Sequence, residues 1–356
     1  MKRIIFWSLL ILALTVSCSS DDDVQSVQDT TSNFTNGVLV LNEGAFMSGN
    51  ASVSFISNTG EIQNNIFSTV NNRALGDVAM NIDFYEDLAF IVVNNSNTVE
   101  VVDRFTFESK ATIAGELYNP RYFKAYNGLG YISNWGDGND ANDDFIAIVD
   151  LNTFEITSKI PVAQGPERLE IYNNKLYIAQ RGDYAFGNTI SVMDLNAHSI
   201  VESIEIKDVP NGMQIENGNL FVMSSGKEAW TGAETMAALQ KIDLQTHQIV
   251  DQIEFPSGVH PTHLQIENGN IYYVIGSDIY RTSTGSLQFN DSPMISTADE
   301  GVSLMYGFNV LNGWIYVCDA VDYVSNGKLF VFSLNGNLDS QYPIDGLIPN
   351  GVYFNN

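Results

Sequence analysis

Two histidines, His260 and His263, flank Pro261, and they are the histidines best placed by spacing to meet a ligand. A pair of imidazoles could hydrogen-bond a bound molecule or contribute to a metal site. Zinc needs at least a third protein ligand, and no further histidine is near in sequence. His198 and His247 each stand four residues after a turn Asp, where Phe107 and Phe154 stand elsewhere, so they read as turn residues. Four of the seven arginines, Arg73, Arg121, Arg168 and Arg181, fall on one end of a repeating unit, Arg121 and Arg168 one and two residues after its opening proline. Guanidinium groups gathered in this way suit an anionic or amide-rich ligand group. The competing reading pairs them with the nearby Asp77, Glu167 and Asp183.

The run 137–144 places Asp137, Asn139, Asp140 and Asp143 at the spacing of oxygen ligands in a calcium loop, with Gly138 allowing a sharp turn. It lacks the closing Glu of an EF-hand, and an ordinary acidic loop is the alternative. No nucleophile elbow, zincin helix or phosphate loop is present. Around a central channel, catalysis would fall to Glu167, His260 and His263, a lactonase or lyase type of reading. Binding without catalysis is the stronger expectation.

These residues must be positioned by a repeat. The stretch 166–205 reads as four short strands, 168–172, 175–180, 189–194 and 200–205, by alternation and β-branched content. Asn173 and Asn174 suit a tight hairpin with positive φ, and Asp194 suits the third turn. Equivalent starts at 79, 120, 166, 210, 261, 305 and 349 give spacings of 41 to 51 residues, the period of propeller blades. The last start lies too close to Asn356 for a full unit. Segments 36–41, 51–57 and 62–68 at the other end supply what it lacks, so head and tail complete one blade and close a ring of seven. Residues 235–240 read as a single helical turn inside a loop, and no strong amphipathic helix is expected.

In such a ring, the loops joining second to third strands open on the same end as the loops joining blades. Those at 42–50, 134–144, 180–188, 224–235 and 319–327 are long and carry aromatics: Phe46, Trp135, Tyr184 with Phe186, Trp230 and Tyr323. The turns at the other end are short. Long loops on one face of a rigid scaffold point to binding. The ligand-binding candidates are these aromatics, the four arginines, His260 and His263, and Tyr122 and Tyr306 beside the blade openings.

The chain holds 16 basic against 42 acidic residues, a net charge of −26. That surface repels nucleic acid and anionic membranes. Of the two cysteines, Cys318 falls in a strand as a small core residue, and Cys18 has another use. Residues 1–17 combine Lys2 and Arg3 with an apolar run too short to span a bilayer, a secretory signal ending before Cys18. Ser17-Cys18 resembles a lipoprotein processing site, with Cys18 acylated. Residues 18–35 form a polar, flexible acidic tether, and 36–356 the propeller. Ser19-Ser20-Asp21-Asp22-Asp23 resembles the export signal of lipoproteins displayed outside some Gram-negative cells.

The Gly165-Pro166 blade opening, the second strand Leu-Tyr-Ile-Ala and the third strand Asn-Thr-Ile-Ser-Val-Met-Asp-Leu resemble the YVTN/YncE-like seven-bladed propellers. With Leu41-Asn42-Glu43-Gly44 and the acidic start, the chain also resembles surface-exposed propeller lipoproteins of the BtuG type. That resemblance implies an outer-membrane, outward-facing protein that captures cobalamin or a related corrinoid and passes it to a TonB-dependent transporter. It requires no cofactor and reaches the membrane only through its lipid. A protein-protein scaffold using the same loops is the remaining alternative.

Overall fold

The computed structural model describes residues 33–356, so the expected signal at 1–17, the expected acylation of Cys18 and most of the expected tether lie outside the described residues. Seven four-stranded antiparallel sheets make the seven blades of a closed propeller. Blade 1 has the strand order Pro349–Asn355, Gly37–Asn42, Ser52–Ser57, Ile62–Gln63. The chain's tail is thus its innermost strand, paired with the head from Gly37 opposite Asn355 to Asn42 opposite Pro349. Blades 2 to 7 follow in order at 79–113, 120–161, 166–205, 210–254, 262–296 and 305–347.

The hairpins form because local chemistry permits positive φ where it is needed. Asn173 and Asn174 have φ of 47° and 58°, and Asn127, Asn217, Asn268, Asn312 and Glu86 take the same conformation at the equivalent turn. The third turn is closed by an Asp side chain. Asp194 Oδ1 accepts from the N–H of Asn196 and Ala197, and Asp103 and Asp243 do the same two and three residues on. His198 and His247 sit in these turns with positive φ.

No single core fills the ring. Seven apolar clusters lie between successive blades, for example Phe90, Val92, Phe123, Ile132 and Val149 between blades 2 and 3. Middle strands are therefore covered on both faces, which is why Leu88–Val93 and Lys175–Gln180 read as nearly continuous apolar runs. Outer strands alternate, as at Glu155–Pro161. Cys318 is fully buried in the layer between blades 7 and 1. Side-chain bonds cross from blade to blade as well. Asn94 Nδ2 donates to Pro120 O, Arg168 Nε to Asn211 O, Asn211 Nδ2 to Pro261 O and Asn350 Nδ2 to Ala79 O.

Three local expectations need correction. Only Ile62–Gln63 pairs as a strand in the 62–68 stretch. Asn65 enters the left-handed region and Ile66–Asn71 becomes a helix that buries Ile66 and Phe67. The helical turn expected at 235–240 lies instead at Ala229–Thr231, and Ala238–Asp243 is a strand paired along its length with Asn219–Ser224. Ala238, Leu239 and Ile242 are fully buried there, and burial outweighs helix propensity. The propeller also begins ahead of residue 36. Phe34 is buried edge-on between Phe55 and Phe107, and Asn355 Nδ2 donates to its carbonyl.

Candidate functional site

A cavity of about 390 Å³ opens at the mouth of the central channel on the long-loop end. Its wall comes from the innermost strands, which begin at equivalent residues in each blade and splay around the axis. Arg121, Tyr122, Arg168, Arg181, His263 and Tyr306 all line it, so six of the expected ligand-binding residues are brought together.

Their partners differ. Arg121 stacks over Trp135 at 4.1 Å and bonds Glu167 Oε1 through Nη2 at 2.9 Å and Nε at 3.2 Å. Arg168 lies over the ring of Tyr122 at 5.1 Å and donates from Nε to Asn211 O at 3.1 Å. Tyr306 donates its hydroxyl to Glu43 Oε2 at 2.9 Å. Burial pushes the Glu43 carboxyl up from the usual range, opposed by that bond. His263 Nε2 faces Tyr306 O at 3.1 Å, so Nε2 carries the proton and Nδ1 accepts from Thr262 Oγ1 at 3.0 Å. Burial first, and the Arg168 charge second, pull the imidazole down to about 4, so it is neutral at physiological pH.

Along the same channel wall a ring of polar side chains went unrecognised in the sequence: Asp83, Lys124, Glu170 and Gln214, with Gln265, Asn309 and Tyr353, which also line the cavity. Each stands four residues after a blade start, and that fixed offset in the repeat was the available signal. Lys124 Nζ lies 3.8 Å from Asp83 Oδ1. Burial raises the carboxyls of Asp83 and Glu170. Gln214, Asn309 and Asp83 accept from backbone N–H groups of Ile266, Val352 and Ala125 in the next blade, which holds the bore's shape.

Other expected residues lie elsewhere. Phe46, Tyr184, Phe186, Trp230 and Tyr323 stand on the rim, exposed by 68%, 73%, 41%, 78% and 46%. Trp135 is not an exposed rim aromatic. It is buried between the Arg121 guanidinium of its own blade and the Tyr184 ring of the next, which close over it from two sides. Arg73 lines no part of the cavity and is bound to Glu100 at 2.6 Å and to Ser109 Oγ, under which Phe67 packs. His260 also lies outside the lining, with Nδ1 on Ser225 O at 2.7 Å. In the 137–144 loop, Asp137 Oδ1 and Asp140 Oδ1 accept from their own neighbours Asn139 and Asn142, and Asp143 Oδ2 accepts from Asp137 N. Among the described residues no three acidic, His or Cys side chains cluster as metal ligands.

A further pair was not foreseen. Asp144 and Asp183, from loops of blades 3 and 4, are both buried and face each other. Asp144 Oδ1 accepts from Gly165 N at 2.9 Å. Burial, and for Asp183 the Asp144 charge, raise the two carboxyls to about 6 and about 7.

No curated protein matches the chain. Solved structures share the fold. A quinonprotein alcohol dehydrogenase-like protein from Bacteroides thetaiotaomicron is similar at 16% identity and a TM-score of 0.68, covering 91% of this chain and 79% of that one. A functionally unknown protein from Desulfotomaculum acetoxidans matches at 12% identity and a TM-score of 0.63, over 90% and 100% of the two chains. Hydrazine synthase from Kuenenia stuttgartiensis matches at 16% and 0.56, over 74% and 85%. Such low identities establish the architecture alone. Residues 36–313 match the family described as "Domain of unknown function (DUF5074)", and the chain belongs to that family.

Proposed function

We propose that this chain is an extracytoplasmic binding protein whose long-loop end takes a bulky ligand, the polar part in the channel mouth and the apolar part against the rim aromatics. One observation carries the reading: the 390 Å³ polar cavity and five exposed aromatic rings occupy the same end of the ring. Polar groups converging in a concave site beneath apolar walls are what a small-molecule site requires. The buried strands beneath leave little to be ordered on docking.

A corrinoid is the first ligand to test. Its amide-fringed disc is broader than the cavity, so it would lie across the rim and send only its tail into the channel. Acylation at Cys18, display outside the cell and transfer to a TonB-dependent transporter belong to the same proposal, supported by the first 35 residues and the resemblance they carry. Spectral titration with cobalamin and cobinamide, followed by gel filtration, tests it. Coloured protein is expected, and failure to retain either at micromolar concentration overturns the corrinoid assignment.

A scaffold reading draws on Phe46, Met47 and Trp230. At 68%, 79% and 78% exposure they stand clear of the cavity, as interface anchors do before a partner covers them. Pull-down from membranes with and without loop 224–235 tests this, and equal recovery of every partner counts against it. An enzymatic reading keeps Glu167 and His263, which line the cavity, and two of the similar folds carry enzyme names. Unchanged turnover of any discovered substrate in His263→Ala removes that residue from the chemistry.

A further inference from the structure

We infer that the channel mouth is an anion-recognition site in which Arg168 receives a carboxylate or phosphate group of the ligand, an inference that rests on the reading of this end as a binding funnel. The cavity lining holds three guanidiniums, Arg121, Arg168 and Arg181, against two carboxylates, Glu43 and Glu167. That is one net positive charge inside a chain of net charge −26. An excess of this sign, in this place, runs against the composition of the whole protein.

The three cations are not equivalent. Arg121 is already occupied by Glu167, with two of its nitrogens on one carboxylate oxygen. Arg168 uses only Nε, on the carbonyl of Asn211, and the Tyr122 ring covers its flat face. Among the described residues its two terminal nitrogens make no ion pair or hydrogen bond. Glu167, the adjacent residue, is committed to Arg121. Glu170, one level down, has its carboxyl pushed up by burial, and the charge most strongly opposing that rise belongs to Lys124.

A planar fork facing a polar cavity with its outer donors unfilled matches the two oxygens of a carboxylate or phosphate. His263 beside it is neutral and donates to Tyr306, so it neither repels an incoming anion nor competes for Arg168. Gln265 and Asn309 line the same cavity and offer amide groups to the rest of the ligand.

The test is calorimetric titration of the full chain with inorganic phosphate and with citrate at fixed ionic strength. Three variants are compared: Arg168→Gln, Arg168→Lys, and Lys159→Gln as a charge change on an outer strand. Binding to the wild type is expected to weaken by about tenfold or more in Arg168→Gln, less in Arg168→Lys, and not in Lys159→Gln. No binding of either anion, or equal binding to the wild type and Arg168→Gln, overturns the inference. If Arg168→Gln fails to fold, the Arg168 side-chain nitrogen resonances of the wild type carry the test, and no shift on adding phosphate overturns it. Cobalamin bearing its phosphodiester tail and cobinamide lacking it separate the two claims. Phosphate held by Arg168 without corrinoid retention removes only the corrinoid reading. Corrinoid retention undiminished in Arg168→Gln removes only the anion site.

Discussion

Arg121 of blade 3 reaches Glu167 of blade 4 at 2.9 Å, and both side chains are largely buried at the channel mouth. Each charge needs the other because neither has water enough to replace it. Glu167→Gln is expected to lower stability by about 3 kcal/mol, since it strands the Arg121 cation above Trp135. The urea midpoint checks this, and a change within error would mean that water already screens the pair.

The Asp144 and Asp183 carboxyls titrate near neutrality, and that sets a pH dependence. Their folded pKa values are raised above the ordinary value, so the folded state holds protons more tightly than the unfolded chain. The stability linked to the pair is present in full below pH 4 and is lost as pH rises through about 6 and 7. Melting temperature should therefore fall between pH 5 and 8, by about a few degrees. Asp183→Asn should flatten that slope. A slope unchanged in the variant would remove the pair from the explanation.

His263 presents the opposite sign. With its pKa lowered to about 4, its contribution is intact above the ordinary value for histidine and is lost as pH falls through 4. Proton NMR of the ring C–H signals should show His263 silent between pH 8 and 5.5. A midpoint near 6.5 would mean that the imidazole is open to solvent.

Gly165 joins blades 3 and 4 with φ of 72°, and an added Cβ would collide with the backbone N atoms of Gly182 and Asp183. Gly165→Ala therefore combines an unfavourable conformation with a contact that backbone cannot relieve. A loss of about 2 kcal/mol or more is expected in chemical denaturation. The Asp144 bond to Gly165 N should loosen with it.

Trp230 behaves differently because its ring is 78% exposed and bonds only Glu228 Oε2. Trp230→Ala should leave stability within about 0.5 kcal/mol of the wild type. Its effect should appear in ligand or partner affinity alone. A large drop in melting temperature would show that the ring packs against the fold.

Much of the architecture was legible because its causes are local and repeated. Asn at the first hairpin turn and Asp at the third act within two or three residues of themselves, so their spacing carries the blade period. Strands begin at Ala79, Pro120, Pro166, Pro210, Met305 and Pro349 as that period requires, and at Thr262 one residue late. Head-to-tail closure followed from counting strands, since the unit opened at Pro349 lacked partners and the segment after Asn36 supplied them. The helix at Ile66–Asn71 escaped this reasoning because it interrupts blade 1 at a place where the repeat has no equivalent.

Contacts across blade boundaries were not legible. Arg73 and Arg168 look alike in sequence, yet one is bound to Glu100 and the other faces the cavity with its fork unfilled. Trp135 reads as a loop aromatic and is buried because Arg121 and Tyr184 close over it. Asp144 and Asp183 belong to different loops and meet only when two sheets tilt together. Turn chemistry and alternation act along the chain and can be read from its letters. The partner of a charge depends on how neighbouring sheets splay about a common axis, and no single repeat encodes that.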